Sequence, residues 1–451
     1  MFKKILIANR GEIAARIIRT CKRLNITTVA IYSEADQGAP YVAMADESYL
    51  IGKPRVNESY LNIDKIVSVA KESGAEAIHP GYGLLSENTD FAKRIEDEGI
   101  TFIGPRADVI SKMGDKIEAR KEMKKAGVPI IPGTEEAVAS SEEAKEFAQS
   151  FGYPVMLKAS AGGGGIGMQA VFNDEELEKA FEGNSKRAKA FFGNGSMFIE
   201  KLIENPRHIE IQVLADEHGN RVYLFERECS IQRRHQKVVE EAPSPVLSEQ
   251  TRKEMGESAM KAVETLNYTN AGTIEFLVDD QEDYYFLEMN TRLQVEHPVT
   301  EEITGVDLVE QQLLVAYGEA LTIEQKDLSI QGHAIEVRIY AEDPNTFYPS
   351  PGQLTKLKLP EGEGIRHELA VHGTSEVTPF YDPMIAKLVV HANTRDEAIE
   401  LMSRAIHSYE IEGIKTNLTM LKRIITHDRF KQGDTKTTFI QDYYLPTLTN
   451  H

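Results

Sequence analysis

The chain has no tryptophan and only two cysteines, Cys21 and Cys229, among its 451 residues. That count excludes a disulfide framework and a cysteine-rich metal centre, and it leads us to expect a reducing, cytoplasmic setting. Positive charge is also short. Lys and Arg number 51 against 71 Asp and Glu, a formal net charge of −20. A nucleic-acid scaffold needs a basic surface, so no nucleic-acid partner is expected. No apolar run approaches the ~18 residues of a membrane span, and the run 5–8 behind Lys3 and Lys4 is too short for a signal peptide. Hence no membrane partner is expected. Low-complexity tails and convincing internal repeats are missing. What is there is an ordinary globular composition, 41% hydrophobic and 27% charged, with length for about three domains.

The first third alternates short apolar runs with helical patterns. Strands are expected at 4–8, 27–32, 75–79 and 101–103, and helices at 11–24, 60–70 and 91–98. Such alternation predicts a parallel, Rossmann-like sheet with helices packed on it. A dinucleotide site is not expected. Asn9-Arg10-Gly11-Glu12 after the first strand has one glycine, and Gly81-Tyr82-Gly83 opens no helix.

The densest chemistry lies in 271–301, AGTIEFLVDDQEDYYFLEMNTRLQVEHPVTE. Two apolar runs flank the polar tip 279–283, which reads as a β-hairpin. Alternation puts Ile274, Phe276 and Val278 on one face and Glu275 and Leu277 on the other. On the return strand Tyr285, Leu287 and Met289 would share a face, opposite to Glu288 and Asn290. A tip centred between Gln281 and Glu282 sets Glu275 against Glu288. Two carboxylates that close repel or share a proton. A hard divalent cation such as Mg²⁺ relieves this, and Asn290 adds another oxygen. Arg292, Gln294, Glu296 and His297 crowd further polar groups beyond the pair.

Elsewhere a helix at 115–126 carries Lys116, and a strand at 153–159 carries Lys158. Gly162, Gly163, Gly164, Gly165 and Gly167 then lead to a second strand beginning at Met168. No Gly-Lys-Ser/Thr follows, so this is no Walker loop. A glycine-rich strand-to-strand loop can instead lie over phosphates and offer backbone N–H groups. The stretch ECSIQRRHQKVVEEAPSP, 228–245, gathers Arg233, Arg234, His235 and Lys237 as a cationic loop in an acidic protein. Such a pocket suits a small anion better than a polyanion. In GHAIEVRIYAEDP, 332–344, Glu336 and Arg338 share a strand face and could pair with each other.

These strings, with IANRGEIA, HPGYGLLSEN, FYPSPG and FYDPMIAKLVV, resemble biotin carboxylases, a branch of the ATP-grasp ligases. The likeness covers essentially the whole chain. It implies an α/β and α+β protein: an N-terminal domain at 1–113, an ATP-grasp domain at 114–330 with its glycine-rich lid subdomain at about 131–203, and a C-terminal α+β domain at 331–451. It implies a ligase that carboxylates biotin with ATP and bicarbonate through carboxyphosphate. Acetyl-CoA is the commonest final acceptor for a free-standing subunit, which would place the chain in fatty acid biosynthesis.

By the same resemblance, Mg²⁺ or Mn²⁺, up to two ions, would sit on Glu275, Glu288 and Asn290. ATP would meet Lys116, Lys158, the glycine run with Met168, Glu200, Lys201 through its backbone, Ile203, His208, Gln232, His235, Leu277, Glu275 and Glu288. Bicarbonate would meet Lys237, Arg292, Gln294, the Val295 backbone and Glu296, with Glu296 as base. Biotin would lie by Tyr82 and Arg338, and either released phosphate or Glu296 would take its proton. The departures are Leu84 for the usual Phe, Ile166 for Lys or Arg, Tyr340 for Asn, and Thr437 for an apolar residue. The nearest string to a biotinyl Met-Lys-Met is Ala259-Met260-Lys261-Ala262, inside a helical pattern. Biotin is therefore expected on a separate carboxyl carrier protein that also serves a carboxyltransferase, and a homodimer is expected by resemblance. Two alternatives are another ATP-grasp ligase and a silent ATP-binding scaffold subunit. The RRHQK and QVEHPVTE strings argue against the first; Lys237, Arg292, Glu296 and Arg338 argue against the second.

Overall fold

A computed structural model describes residues 1–159, 168–192 and 195–448. The glycine run and Ile166 lie outside the described residues.

Five strands form the N-terminal sheet: β1 (Lys4–Ile7), β2 (Thr27–Ser33), β3 (Glu47–Gly52), β4 (Ala77–His79) and β5 (Thr101–Phe102). Their order is β3-β2-β1-β4-β5 and every pairing is parallel. The sequence pattern finds all but β3. That strand is at the sheet edge, only Ile51 of its six residues is buried, and its apolar run 49–51 is too short to announce it.

Next come β6 (Val155–Ala159), β7 (Met168–Val171) and β8 (Met197–Lys201), an antiparallel sheet of their own in the order β7-β6-β8. Then follow β9 (Arg207–Ala215), β10 (Arg221–Arg233), β11 (Gln236–Ala242), β12 (Asn270–Val278), β13 (Tyr284–Asn290) and β14 (His333–Tyr340). The chain closes with β15 (Gly352–Gln353), β16 (Lys356–Lys358), β17 (Ile365–Leu369), β18 (Glu376–Val377), β19 (Met384–Ala392) and β20 (Glu410–Glu412).

The largest sheet is antiparallel, in the order β13-β12-β9-β10-β11-β14-β19-β17. Strands from both sides of position 330 belong to it. One face carries apolar cores. Ile209, Ile211, Val213, Ile274 and Phe276 pack under the helix Glu249–Thr265, while Ile335, Val337, Ile339 and Leu388 pack under the helices Arg395–Ser408 and Leu418–Thr426. The other face is lined with charge. Lys237 on β11 bonds Glu275 on β12, three strand positions away. In a flat sheet those strands would stand roughly 14 Å apart, beyond the reach of one lysine. The sheet therefore curls, and its charged face is concave.

The candidate active site

The basic stretch 228–245 is not a loop. It forms most of the hairpin β10–β11, and Arg234 and His235 at its tip take φ of 51° and 66°. Positive φ at both central residues is what a two-residue type I′ turn demands. The turn leaves His235 exposed at the tip and starts Lys237 back toward the concave face.

Lys237 is the hub. Its Nζ donates to Glu210 Oε2 at 2.6 Å, Glu275 Oε1 at 2.8 Å and Glu296 Oε1 at 2.7 Å. Arg227, fully buried, donates from Nε to Glu210 at 2.6 Å and from Nη2 to Gln294 Oε1 at 2.7 Å. Glu275 Oε1 also accepts from Asn290 Nδ2 and Gln294 Nε2, both at 2.8 Å. Its Oε2 faces His208 Nε2 at 2.9 Å, and Gln232 Nε2 sits 2.8 Å from His208 Nδ1. Burial alone would raise the Glu275 and Glu296 carboxyls. Lys237 with His208 at the first, and Lys237 with Arg338 at the second, hold both well below the usual range. Glu210 goes the other way, because burial outweighs the pull of Lys237.

Glu275 does stand opposite Glu288 in the ladder. The sequence argument reached that pair through a wrong tip. Val278 pairs Tyr284 and Phe276 pairs Phe286, so the hairpin is centred on Gln281, and a bulge at Leu287 then shifts the register to Glu275–Glu288. The bulge also breaks the expected alternation. Phe286 and Met289 face the core, while Leu287 and Glu288 both turn away from it; Glu288 keeps surface along its chain although protein crowds its carboxyl. The donor set suits a hard cation, since burial and then Glu275 push the Glu288 carboxyl up in its absence. Asn290 presently turns its Oδ1 to Arg292 Nη2 at 3.0 Å. Arg292 Nε is held by Glu87 at 2.9 Å. His208, Glu210 and Glu275 also bring ligand atoms within 4.8 Å of one another, but Lys237 already neutralises the two carboxylates there.

Glu296 links this cluster to a second one. Its Oε2 accepts from Arg338 Nη2 at 3.0 Å, and Arg338 Nε donates to Glu240 at 2.6 Å. Arg338 does not pair with its strand-mate Glu336, whose oxygens are buried without a hydrogen-bond partner. Burial pushes the Glu240 carboxyl up to about 7 against the pull of Arg338. Arg338 lines a cavity of about 410 Å³ with Tyr82, Leu84, Val295 and Tyr340. The Tyr82 hydroxyl donates to Glu12. The Val295 carbonyl accepts from the buried Lys387 at 2.6 Å.

Other candidates lie around this core. Glu200 takes Lys158 on one oxygen and Arg120 on the other. Lys201 turns its ammonium to the Gly152 and Tyr153 carbonyls and donates its N–H to the Pro132 carbonyl at 2.8 Å, so neither donor is left for a ligand. Half-buried Ile203 follows, and the Thr437 N–H donates to the nearby Pro206 carbonyl at 3.1 Å. Met168 is exposed at the start of β7, and half-buried Leu277 pairs with His208 across the ladder. Lys116 opens the helix Lys116–Ala126, where a cation opposes the helix dipole. A bound anion would reverse that penalty.

Three family models cover the chain: biotin carboxylase, N-terminal domain, at residues 1–110; carbamoyl-phosphate synthase L chain, ATP binding domain, at 115–324; and biotin carboxylase C-terminal domain at 336–442. A biotin carboxylase of Halalkalibacterium halodurans is 64% identical, over 98% of each chain. The chain belongs to the biotin carboxylases. The propionyl-CoA carboxylase alpha chain of Ruegeria pomeroyi is 51% identical over 98% of this chain and 68% of that one. The biotin carboxylase domain dimer of the Hydrogenobacter thermophilus 2-oxoglutarate carboxylase, in complex with MgADP, ADP and bicarbonate, superposes with a TM-score of 0.91 at 49% identity, over 100% of this chain and 99% of that one. As a biotin carboxylase the chain is an ATP-dependent carboxylating ligase. No helix of the described residues is long and apolar enough to cross a membrane.

Sequence reasoning gave no role to several residues of this biotin carboxylase site: Glu12, Glu87, Glu210, Arg227, Glu240 and Lys387. Two of them carried a signal. Lys387 in MIAKLVV and Arg227 in YLFERE are single cations inside strand patterns, and both are fully buried. A lone buried cation must be paired.

Proposed function

We propose that this biotin carboxylase activates bicarbonate at Lys237 and Glu296 and hands the carboxyl to biotin at Arg338. The observation that carries this is Glu296 itself: one oxygen bonds Lys237, the other bonds Arg338. A single carboxylate thus joins the cation-rich anion pocket to the 410 Å³ cavity.

Lys158, Lys116, His208 and Gln232 bind and orient the triphosphate of ATP. The segment at Glu200, Lys201 and Ile203, with Thr437 beside it, holds the adenine. Glu275 and Glu288, with Asn290, would hold Mg²⁺ or Mn²⁺, which supplies positive charge to the phosphate oxygens when bound. Arg292 suits an oxyanion because its planar fork can bind two oxygens. With Lys237, Gln294 and the Val295 backbone it holds bicarbonate for attack on the γ-phosphorus. Glu296 takes the bicarbonate proton. It is a weak base while Lys237 and Arg338 both bear on it. A bound anion that shares those cations raises its proton affinity, so the base strengthens only when substrate is present. Carboxyphosphate then forms as ADP leaves, and it breaks down to CO₂ and phosphate beside biotin, with the released phosphate or Glu296 taking the ureido proton. Arg338 stabilises the negative oxygen of the deprotonated ureido group. Tyr82 walls the ring.

Biotin arrives on a separate carrier, and the carrier's carboxyltransferase sets the final acceptor. The relatives include biotin carboxylases and chains of pyruvate carboxylase and propionyl-CoA carboxylase, so the likeness does not single out acetyl-CoA. A homodimer in the cytoplasm is part of this reading, supported by the dimer of the 2-oxoglutarate carboxylase domain.

The test is ADP release by the purified chain with Mg²⁺ and ATP, with and without bicarbonate and free biotin. Release should require bicarbonate and rise with biotin. Arg338→Ala should abolish the rise while leaving ATP binding intact. Equal loss of ATP binding and of biotin-dependent turnover would refute the assignment of Arg338. Tight ATP binding with no response to either substrate would support the scaffold reading instead.

A further inference from the structure

We propose that the Tyr340 hydroxyl is a second hydrogen-bond donor to the ureido oxygen of biotin, beside Arg338. The inference rests on the reading above, that biotin enters this cavity. It concerns this chain's own residue, because the position usually carries Asn in the family.

Tyr340 ends β14 two residues past Arg338, so strand alternation puts both side chains on one face. Asn417, fully buried, fixes that pair from behind. Its Oδ1 accepts from the Tyr340 N–H at 2.9 Å, and its Nδ2 donates to the Arg338 carbonyl at 2.9 Å. Across the ladder the register slips: Ile339 pairs Ala386, but Tyr340 pairs Met384. Ile385 is the extra residue. A bulge of this kind bends the ladder and re-aims a side chain. Here the phenol lines the 410 Å³ cavity together with Arg338, Tyr82 and Met384.

Arg338 and Tyr340 line one cavity, and the guanidinium charge bears on the phenol. A phenol carries one O–H to donate, and a guanidinium can only donate, so Arg338 does not engage that proton. Burial holds that proton in place by pushing the phenol up to about 12. The free O–H can then meet the same small acceptor that Arg338 meets. As the ureido nitrogen loses its proton, negative charge grows on the oxygen, and both donors strengthen together. The nearby charge of Arg338 also favours loss of the phenol proton, which makes the hydroxyl a better donor than a lone tyrosine.

Tyr340→Phe keeps the ring and removes only the hydroxyl. With saturating ATP and bicarbonate, kcat for free-biotin-dependent ADP release should fall about tenfold or more, as for loss of one oxyanion donor. The slow biotin-independent release and the KM for ATP should stay within about twofold, because the lost contact forms only with biotin. A biotin-dependent kcat within about twofold of the unsubstituted enzyme would overturn the inference. So would an equal fall in the biotin-independent rate, which would mark a structural effect. If the unsubstituted enzyme ignores biotin altogether, the functional reading fails and this inference fails with it. The unsubstituted control therefore separates the two failures.

Discussion

The ammonium of Lys237 and the carboxylate of Glu296 lie 2.7 Å apart on the concave face of the large sheet, with Glu296 buried and Lys237 nearly so. Each is also shared. Lys237 serves Glu210 and Glu275 as well, and Glu296 serves Arg338. Neither can be removed without disturbing the charge balance of the cluster.

Glu296→Gln therefore tests the base without emptying the site. The amide keeps its oxygen for Lys237 but cannot take a proton. Bicarbonate-dependent ADP release should drop on the order of 10²–10⁴-fold, the range for loss of a general base. ATP affinity, read by equilibrium binding, should hardly change. A variant that keeps a tenth of the activity or more would assign the proton to another acceptor.

Glu288 bears on the metal. Its carboxyl is raised by burial and then by the charge of Glu275, so the pair is a repulsive one until a cation arrives. Glu288→Gln removes one charge from that site. The Mg²⁺ concentration for half-maximal turnover should rise about tenfold or more, equivalent to about 1.4 kcal/mol. Thermal stability without Mg²⁺ should stay level or increase. An unchanged Mg²⁺ dependence would take Glu288 out of the ligand set.

Asp307 gives a prediction about stability and pH. It accepts from Arg16 at 2.9 Å and from Arg23 at 2.8 Å, tying the first helix to the helix Leu308–Tyr317. Burial would raise its carboxyl, but Arg16 wins and lowers it from 3.8 to about 2. The folded value is below the unfolded one. The stabilisation is therefore present above pH 3.8 and lost as pH falls toward 2. At neutral pH it is worth about 2 kcal/mol at most. Asp307→Asn keeps an oxygen for the Glu310 N–H that it caps. Its urea midpoint should be below that of the unsubstituted protein at pH 7, and about half of the gap should close by pH 3. An equal gap at both values would mean that charge is not the cause.

Much of the N-terminal sheet was legible, because buried parallel strands announce themselves as apolar runs. The edge strand β3 was not, since half of it meets solvent. The Glu275–Glu288 pair was legible from period and turn, yet its register depends on a bulge at Leu287 that alternation cannot foresee. The partners of Lys237 show the limit more plainly. Glu210 and Glu275 come within reach only because the sheet curls, and curl is a property of eight strands together. Arg338 was singled out through the family likeness. Its partners Glu240 and Glu296, on β11 and just before the helix His297–Thr304, required the fold.

The continuous sheet from β13 to β17 has a mechanical consequence. Glu288, at one rim, and Lys387, next to the last strand, are mounted on one hydrogen-bonded plate, bent at the bulges by Leu287 and Ile385. Such a plate is stiff in its own plane, since strands cannot part without tearing a row of N–H···O=C bonds. The β7-β6-β8 sheet stands apart from it. The protein then resembles a jig: the metal pair and the arginine at the cavity are mounted on one sheet, whose strands set the spacing between them.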